Sequence, residues 1–299
     1  MQTEPAQTPE RPMMNVLVIA YYFPPMGLSG VQRTLKFVKY LPQHGWRPIV
    51  LTAGETPYYA HDESLLAELA SLVEQGLVRI VRTAQSGAPG AKIAKKEGNT
   101  LKLPSAWYQR LRSKAIQTVL QPDSRIGWKK HALALADSIF EEERIDAIMS
   151  TAPPYTDHLI ARALRRKYDV PYLVDYRDAW VGNPVLNFYA TPFHKAYARK
   201  LEDDVLRSSS AITVASRRMK EILLKNYTFL SHEDVQIISH GYDPDDLGVA
   251  YERSAAHRKP ERFRVTYGGA FYVGRTPQPM FEAARLAITE EPGLATDLE

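Results

Sequence analysis

Hydrophobic residues in this chain fall into short runs that alternate with helical patterns, as in an α/β fold. The first run, residues 15–20, is rich in Val and Ile and does not alternate with polar residues. Such a run predicts a strand buried on both faces of a parallel sheet. Apolar residues then recur at helical spacing from Val31 to Leu41, which predicts a helix packed on that sheet. Residues 49–52 complete the unit as a second strand.

The same alternation continues along the chain. Strands are predicted at residues 77–81, 145–150, 171–175, 211–214 and 235–238, and helices at residues 61–75, 105–120, 129–143, 155–168, 195–207 and 216–225. Strands that alternate with helices imply right-handed crossovers. The predicted fold class is therefore α/β, with a doubly wound, Rossmann-like parallel sheet.

Composition changes divide the chain into four predicted parts. Residues 1–13 are polar and contain proline, so we expect a disordered tail, and residues 14–250 form the Rossmann-like domain. Residues 251–261 are charged and broken by a proline, as in a linker. Residues 262–299 restart the pattern with a strand at 263–267 and a helix from Pro279. One strand and one helix cannot cover their own apolar surface, so this part is expected to be an incomplete second domain.

The composition excludes several classes of site and location. The chain has no cysteine, which rules out disulfides, thiol nucleophiles and cysteine-based metal sites. The first residues lack the apolar core of a signal peptide, and no run of about 20 apolar residues occurs. We therefore expect a cytoplasmic protein.

Positive charge is concentrated in one segment. The formal net charge is +4, yet residues 91–130 alone contain ten basic residues against two acidic ones. Within this segment, the predicted helix that begins at Ser105 and ends at Leu120 combines cations with an apolar stripe. It could contact an anionic membrane surface, or it could be a surface helix whose stripe packs on the domain. No nucleic-acid recognition motif accompanies the charge, so no nucleic-acid partner is expected.

The loop after the first predicted strand is a candidate phosphate site. Pro24 and Pro25 stop any helix there, while Gly27 and Gly30 leave room for a ligand near the backbone. The free N–H groups of the following helix favour an anion. The glycine spacing is neither a dinucleotide fingerprint nor a P-loop, so turn formation is an equally good explanation of the two glycines.

Charged residues also follow a later strand. Asp175, Arg177 and Asp178 lie at or just beyond its carboxyl end, where open parallel sheets bind their ligands. A carboxylate beside a guanidinium keeps its charge and orientation, which suits the positioning of a ligand hydroxyl. The alternative is an Arg and Asp pair that only fixes the loop.

His158 follows the strand before that one, on the first turn after Pro154. It could hydrogen-bond a ligand hydroxyl or move a proton, whereas a histidine near a helix start is commonly a capping or solvated residue. Asp243 and Asp245 imitate a metal-binding Asp-x-Asp pattern, but Pro244 between them favours a turn. We therefore expect neither a metal nor another cofactor.

Six segments in order resemble the N-terminal half of family 4 glycosyltransferases, which are retaining, nucleotide-sugar-dependent enzymes of the GT-B fold. They read YYFPPMGLSGVQR, PDSRIGW, STAPPYTDHLIA, VDYRDAW, VQIISHGYDPDDL and YGGAFYVGRTP. The resemblance covers nearly the whole chain after residue 13. Most such enzymes have Asn where this chain has His240.

The resemblance implies a cleft with the acceptor on the N-terminal domain and the donor nucleotide mainly on the C-terminal one. We expect His158 and Asp178 to act in catalysis, Gly27, Gly30 and Arg275 to bind the donor, and Asp175 and Arg177 to lie on the acceptor side of the cleft. Arg275 matches the arginine that neutralises the donor diphosphate. In a retaining enzyme the donor phosphate can itself accept the proton of the acceptor.

These features imply a glycosyltransferase that acts on a saccharide or a lipid-linked acceptor during cell-surface polysaccharide synthesis, in the cytoplasm and peripherally at the inner face of the membrane. The family's pair of glutamates near the donor, and the lysine expected shortly after Arg275, have no counterpart. Two alternatives therefore stay open: a catalytically incompetent acceptor-binding half that needs a separate donor domain, or an enzyme similar to a nucleotide-sugar epimerase.

Overall fold

The structure is a computed structural model and describes residues 12–27, 29–54, 60–84, 120–183, 189, 191–246, 262–268 and 276–297. The chain divides into two compact units, Met1–His240 and Gly241–Glu299. Within the described ranges, no helix is both long and apolar enough to cross a membrane.

The first unit is built on a seven-stranded sheet. Its strands are β1 Met14–Ile19, β2 Trp46–Thr52, β3 Arg79–Arg82, β4 Ala147–Ala152, β5 Tyr172–Tyr176, β6 Ala211–Val214 and β7 Val235–Ile237. The order across the sheet is β3-β2-β1-β4-β5-β6-β7, and every neighbouring pair is parallel. The chain reverses its direction of travel across the sheet between β1 and β4, so their carboxyl ends border the switch point at which such sheets bind ligands.

Helices connect successive strands. In chain order they are α1 Ser29–Tyr40, α2 Glu63–Ala67, α3 Ala70–Glu74, α4 Lys129–Glu142, α5 Thr156–Tyr168, α6 Pro192–Ser208 and α7 Arg217–Asn226. The predicted alternation and the doubly wound parallel fold class are confirmed.

Burial explains why the first unit of the pattern could be predicted. Leu17, Val18 and Ile19 of β1 are fully buried, although successive strand residues point to opposite faces. Val31, Leu35 and Val38 of α1 are also fully buried and form the helix face toward the sheet. Each such side chain contributes about 1.5–3 kcal/mol of burial free energy.

Helix ends in this unit are capped by local residues. The carboxylate of Asp62 accepts a hydrogen bond from the N–H of Ser64 at 3.0 Å and caps α2. Gly45 has φ of 78° and ends the short 3₁₀ turn Leu41–His44 that follows α1.

Two predicted elements differ from the structure. The helix predicted at residues 61–75 is two short helices, because Glu68 and Leu69 form a turn between α2 and α3. No strand forms at 263–267 among the described residues, and Phe263 in this range is 71% exposed. The helix predicted from Pro279 is present in the second unit as α8 Gln278–Glu290, and α9 Leu294–Asp297 follows it.

Several predictions fall outside the described residues. These are most of the tail at 1–13, residues 105–119 of the basic helix, the linker at 251–261, and Arg275. The domain boundaries therefore stay predictions. Asp243 is described, and its carboxylate accepts a hydrogen bond from the N–H of Asp245 at 3.0 Å, as in a turn.

Candidate active site at the carboxyl edge of the sheet

A buried carboxylate links the loops on the two sides of the switch point. Asp157, in the first turn of α5, accepts a hydrogen bond at 2.9 Å from the backbone N–H of Tyr21, which follows β1. Burial raises the pKa of Asp157 well above its usual range, and nearby Asp123 raises it further. The other carboxylate oxygen, Oδ1, is buried without a hydrogen-bond partner. Tyr21 and Asp157 therefore tie the residue after β1 to the first turn of α5 at the switch point.

Asp175 lies in the middle of this edge and is fully buried. Its two oxygens accept hydrogen bonds from Arg33 of α1, at 2.7 Å from Nη2 and 2.9 Å from Nε. The hydroxyls of Thr151 on β4 and Thr213 on β6 donate to the same carboxylate at 3.1 and 2.8 Å. These contacts favour a positioning role for Asp175, since no oxygen of it reaches solvent. The predicted contact of Asp175 with an acceptor stays a prediction.

Arg33 also connects the hydrogen-bonded cluster around Asp175 to the segment that follows β7. Its Nη1 donates to the carbonyl oxygen of Ser239 at 3.3 Å, next to His240 beyond the end of β7. Partial burial and the charge of Arg33 lower the pKa of His240. The residue that departs from the family pattern therefore lies beside the Arg33 and Asp175 pair.

Gly30 and Arg177 meet at the start of α1. A Cβ atom built on Gly30 would lie 3.4 Å from Nη1 of Arg177. The guanidinium of Arg177 also donates to the carbonyl oxygens of Ala152 and Pro153 at the end of β4. Burial lowers the pKa of Arg177, while Asp157 and Asp175 oppose the shift. A cation and the free N–H groups of the first turn of α1 therefore border the same space.

Gly27 has a different environment from Gly30. Its N–H donates to the carbonyl oxygen of Ala60 at 2.8 Å, and an added Cβ would lie 3.4 Å from that oxygen. The N–H of Gly27 is therefore committed to the fold, and these contacts favour the turn explanation for this glycine. Its predicted role in donor binding is not tested.

Asp178 follows Arg177 beyond the carboxyl end of β5 and is half-buried. No hydrogen bond or ion pair with another described residue engages its carboxylate. Of the three charged residues predicted at this strand end, Asp178 has the carboxylate that is free to meet a ligand.

His158 lies beneath this edge and is fully buried. Its Nδ1 is 2.8 Å from the hydroxyl of Ser150 on β4, and its Nε2 is buried without a partner. Burial lowers the pKa of His158 to about 3, with Asp175 opposing the shift and Arg177 adding to it. The ring is therefore neutral near pH 7, which favours a hydrogen-bonding role over proton uptake.

The structure adds residues that the sequence analysis did not single out. Arg33 belongs to a quoted motif but was not assigned a role, and Asp157 lies next to the predicted His158. Ser150, Thr151 and Thr213 are polar residues inside buried strands. A hydroxyl in an otherwise apolar strand was the available signal, because a buried polar group needs a partner.

Comparisons with known proteins were made on the sequence and on the structure. Residues 29–241 match a family model described as "Glycosyl transferase 4-like domain". A search of curated proteins gives no significant match.

Among solved structures, the chain is similar to UGT2 of Phytolacca americana in complex with UDP-2fluoro-glucose and pterostilbene. That match has 13% identity and a TM-score of 0.46, and covers 91% of this chain and 63% of the other. HepE of Anabaena, in complex with UDP and glucose, matches with 11% identity, a TM-score of 0.42, and 84% and 52% coverage.

UGT89C1 of Arabidopsis thaliana, complexed with UDP-L-rhamnose, matches with 14% identity and a TM-score of 0.48, and covers 92% of this chain and 63% of the other. The chain thus spans between 52% and 63% of the length of these three structures.

Proposed function

Because the chain belongs to the glycosyl transferase 4-like family, we propose that it transfers a sugar from a nucleotide-sugar donor to a saccharide or lipid-linked acceptor. The family match and the parallel α/β fold both support sugar transfer in general. We also propose that the enzyme retains the configuration of the transferred sugar and that this sugar is a hexose. Both of these finer proposals rest on the resemblance of the sequence motifs.

The observation that carries the proposal is the convergence of Gly30, Arg177 and Asp178 at one end of the sheet. Gly30 lies in the first turn of α1, and the guanidinium of Arg177, which follows β5, lies next to it. A helix start beside a guanidinium suits an anionic phosphate. A free carboxylate next to it suits the hydroxyls of a sugar.

Each residue has a proposed task. Arg177 and the N–H groups at the start of α1 attract the donor phosphates. Asp178 accepts a hydrogen bond from the acceptor hydroxyl and orients its oxygen. The neutral ring of His158 supports this edge through Ser150, and the proton of the acceptor passes to the departing phosphate, so a charged histidine is not needed.

The setting of the reaction is also proposed. A lipid-linked acceptor in cell-surface polysaccharide synthesis requires contact with the inner face of the membrane, from a cytoplasmic position. The predicted helix from Ser105 to Leu120 is the candidate for that contact, because its cations attract anionic headgroups.

Calorimetry with UDP- and GDP-sugars tests donor binding, and transfer of labelled sugar to a lipid extract tests catalysis. We expect one nucleotide-sugar to bind the unmodified chain. Asp178→Asn is expected to reduce transfer about a hundredfold or more, because an amide cannot replace a charged acceptor of hydrogen bonds at the reacting group.

Glu221→Gln is the matched control, because Glu221 is a carboxylate in an exposed pair with Arg217 of α7. It should leave transfer unchanged. If no nucleotide-sugar binds the unmodified chain, the donor assignment fails. If Asp178→Asn transfers sugar as fast as the control, the role of Asp178 fails.

A further inference from the structure

Two side chains hold the segment that carries Asp178 through hydrogen bonds to the backbone N–H and carbonyl oxygen of Val181. Glu202 of α6 accepts a hydrogen bond at 3.0 Å from the N–H of Val181. The side-chain amide of Asn226, at the end of α7, donates to the carbonyl oxygen of Val181 at 3.3 Å. Two neighbouring helices therefore hold the backbone of Val181 in the segment that follows β5, at its N–H and at its carbonyl oxygen.

Further contacts hold the residues between Asp178 and Val181. The hydroxyl of Tyr155 donates to the carbonyl oxygen of Ala179 at 2.7 Å, and the ring of Tyr155 stacks on Trp180 at 4.9 Å between centroids. Asp178 is thus attached to a segment with few free backbone groups. Its direction depends on the partners of that segment.

Glu202 is the charged member of this set, and it is fully buried. The same oxygen that binds Val181, Oε2, also accepts a hydrogen bond from the hydroxyl of Tyr227 at 2.6 Å. The other oxygen, Oε1, and the nearby hydroxyl of Tyr176 are both buried without a hydrogen bond of good geometry. A buried carboxylate without an ion pair is costly, and the hydrogen bonds from Val181 and Tyr227 offset part of that cost.

We propose that Glu202 is a positioning residue for sugar transfer: its carboxylate holds the N–H of Val181, and through it the backbone segment that orients Asp178. This inference rests on the proposed function, since it concerns the residue that orients the acceptor. It goes further by assigning a catalytic contribution to a side chain that touches neither substrate.

The protonation state of Glu202 sets the strength of this hold. Burial raises the pKa of Glu202 to about 7, against the lowering effect of its hydrogen bonds with Tyr227 and Val181. The ionised carboxylate accepts the N–H of Val181 in a charge-assisted hydrogen bond, and the neutral acid accepts it more weakly. In the neutral acid, the new O–H donor at Oε1 has the Tyr176 hydroxyl as a neighbour.

The groups that face Glu202 come from five places in the fold. They are Tyr176 of β5, Tyr155 before α5, Tyr189, Arg199 of α6 and Tyr227 after α7. Burial raises the pKa of each of these tyrosines above its ordinary value, so none of them ionises near pH 7. Glu202 is therefore the member of this group that changes charge in that range.

The test compares the unmodified chain with Glu202→Gln and Tyr227→Phe between pH 5.5 and 8.5. Glutamine keeps an oxygen that can accept from Val181 and Tyr227, so the fold is retained while the charge is lost. We expect kcat of the unmodified chain to rise through an inflection near pH 7. Glu202→Gln should lose that inflection and lower kcat about tenfold, with the donor Kd from calorimetry unchanged.

Hydrogen exchange of the peptide that covers residues 177–183 provides a readout that does not require transfer. After correction for intrinsic rates, its protection should rise with pH through 7 in the unmodified chain and stay flat in Glu202→Gln. Tyr227→Phe keeps the charge and should shift the inflection to higher pH, because a hydrogen bond to the carboxylate is removed. Glu221→Gln, as the exposed control, should match the unmodified chain.

Two results would overturn the inference: an unchanged inflection in Glu202→Gln, or protection of residues 177–183 that is independent of pH in the unmodified chain. Because the exchange measurement needs no substrate, a chain that transfers no sugar still reports on this contact. A failure of the proposed function is then distinguishable from a failure of the role of Glu202.

Discussion

Arg33 and Asp175 form a two-point ion pair in the interior of the domain, with Nη2 to Oδ1 at 2.7 Å and Nε to Oδ2 at 2.9 Å. The two side chains are 4% and 0% exposed. The pair joins α1 to the middle of the sheet at its carboxyl edge. It therefore holds the start of α1, where Gly30 lies, in a fixed place relative to β5.

Removal of one partner tests how much the fold depends on this pair. Arg33→Ala leaves the Asp175 carboxylate buried with only two hydroxyl donors, so we expect a loss of about 3–5 kcal/mol in the free energy of unfolding. Urea denaturation measures it.

Arg217→Ala is the control for the ion pair, because Arg217 pairs with Glu221 at 3.0 Å on the surface, where both side chains are more than half exposed. Its expected cost is under about 1 kcal/mol. If Arg33→Ala and Arg217→Ala lose equal free energy of unfolding, the buried pair of Arg33 does not stabilise the fold more than the surface pair does.

Two glycines should respond in opposite ways to alanine. A Cβ on Gly54 would lie 2.0 Å from the backbone oxygen of Thr83, which cannot move without disturbing β3. We expect Gly54→Ala to cost about 2 kcal/mol or more. Gly30→Ala places its Cβ 3.4 Å from a movable Arg177 side-chain atom and adds helix propensity, so its stability should stay within about 1 kcal/mol of the original.

Thermal unfolding of the two glycine variants checks this contrast. If Gly30→Ala were the more destabilised variant, the start of α1 would be packed more tightly than the structure indicates.

His158 should make the protein sensitive to acid. Its folded-state pKa of about 3 lies below the usual 6.5, so the unfolded chain binds more protons between these values. The stability from a neutral His158 is present above pH 6.5 and is lost as the pH falls toward 3, with a total of about 5 kcal/mol.

In His158→Gln the decline in unfolding free energy between pH 6.5 and 4 should be shallower, as measured by denaturant titration at each pH. His44→Gln, at the exposed end of the 3₁₀ turn Leu41–His44, is the control and should keep the original slope. Identical slopes for all three proteins would show that His158 is not held neutral.

Glu202 should produce the opposite trend. Its folded-state pKa of about 7 lies above the ordinary 4.5, so the folded chain binds more protons between these values. Its contribution is fully present below pH 4.5 and is lost as the pH rises through 7, by about 3 kcal/mol in total.

The unfolding free energy of Glu202→Gln relative to the unmodified chain should therefore increase from pH 5 to pH 8. Glu221→Gln provides the baseline. If the difference in unfolding free energy between Glu202→Gln and the unmodified chain does not change with pH, the pKa of Glu202 is not raised.

Local pattern was enough for most of the secondary structure. The strand at β1 and the helix at α1 could be read from apolar spacing, because burial of one face imposes that spacing on each element separately. Asp62 and Gly45 could be assigned as caps because capping involves residues only a few positions apart. The helix at 61–75 could not be divided correctly, since the turn at Glu68 and Leu69 carries no proline or glycine.

The site was only partly accessible to the same reasoning. Asp175, Arg177, Asp178 and Gly30 were placed at the correct edge because strand ends collect there in any parallel sheet. Which carboxylate stays free was not predictable. Asp175 is covered by Arg33, a residue 142 positions away, and Asp178 next to it is not.

The sequence by itself determined the α/β class, the family and the edge of the sheet at which ligands are expected, because periodicity and motif spacing are properties of neighbouring residues. Only the tertiary structure decided that Asp175 and Glu202 are buried, that His158 is neutral, and that Val181 is held from two helices. These properties depend on burial and on contacts between distant segments. The packing of the helices against the seven-stranded sheet creates both, and local patterns contain neither.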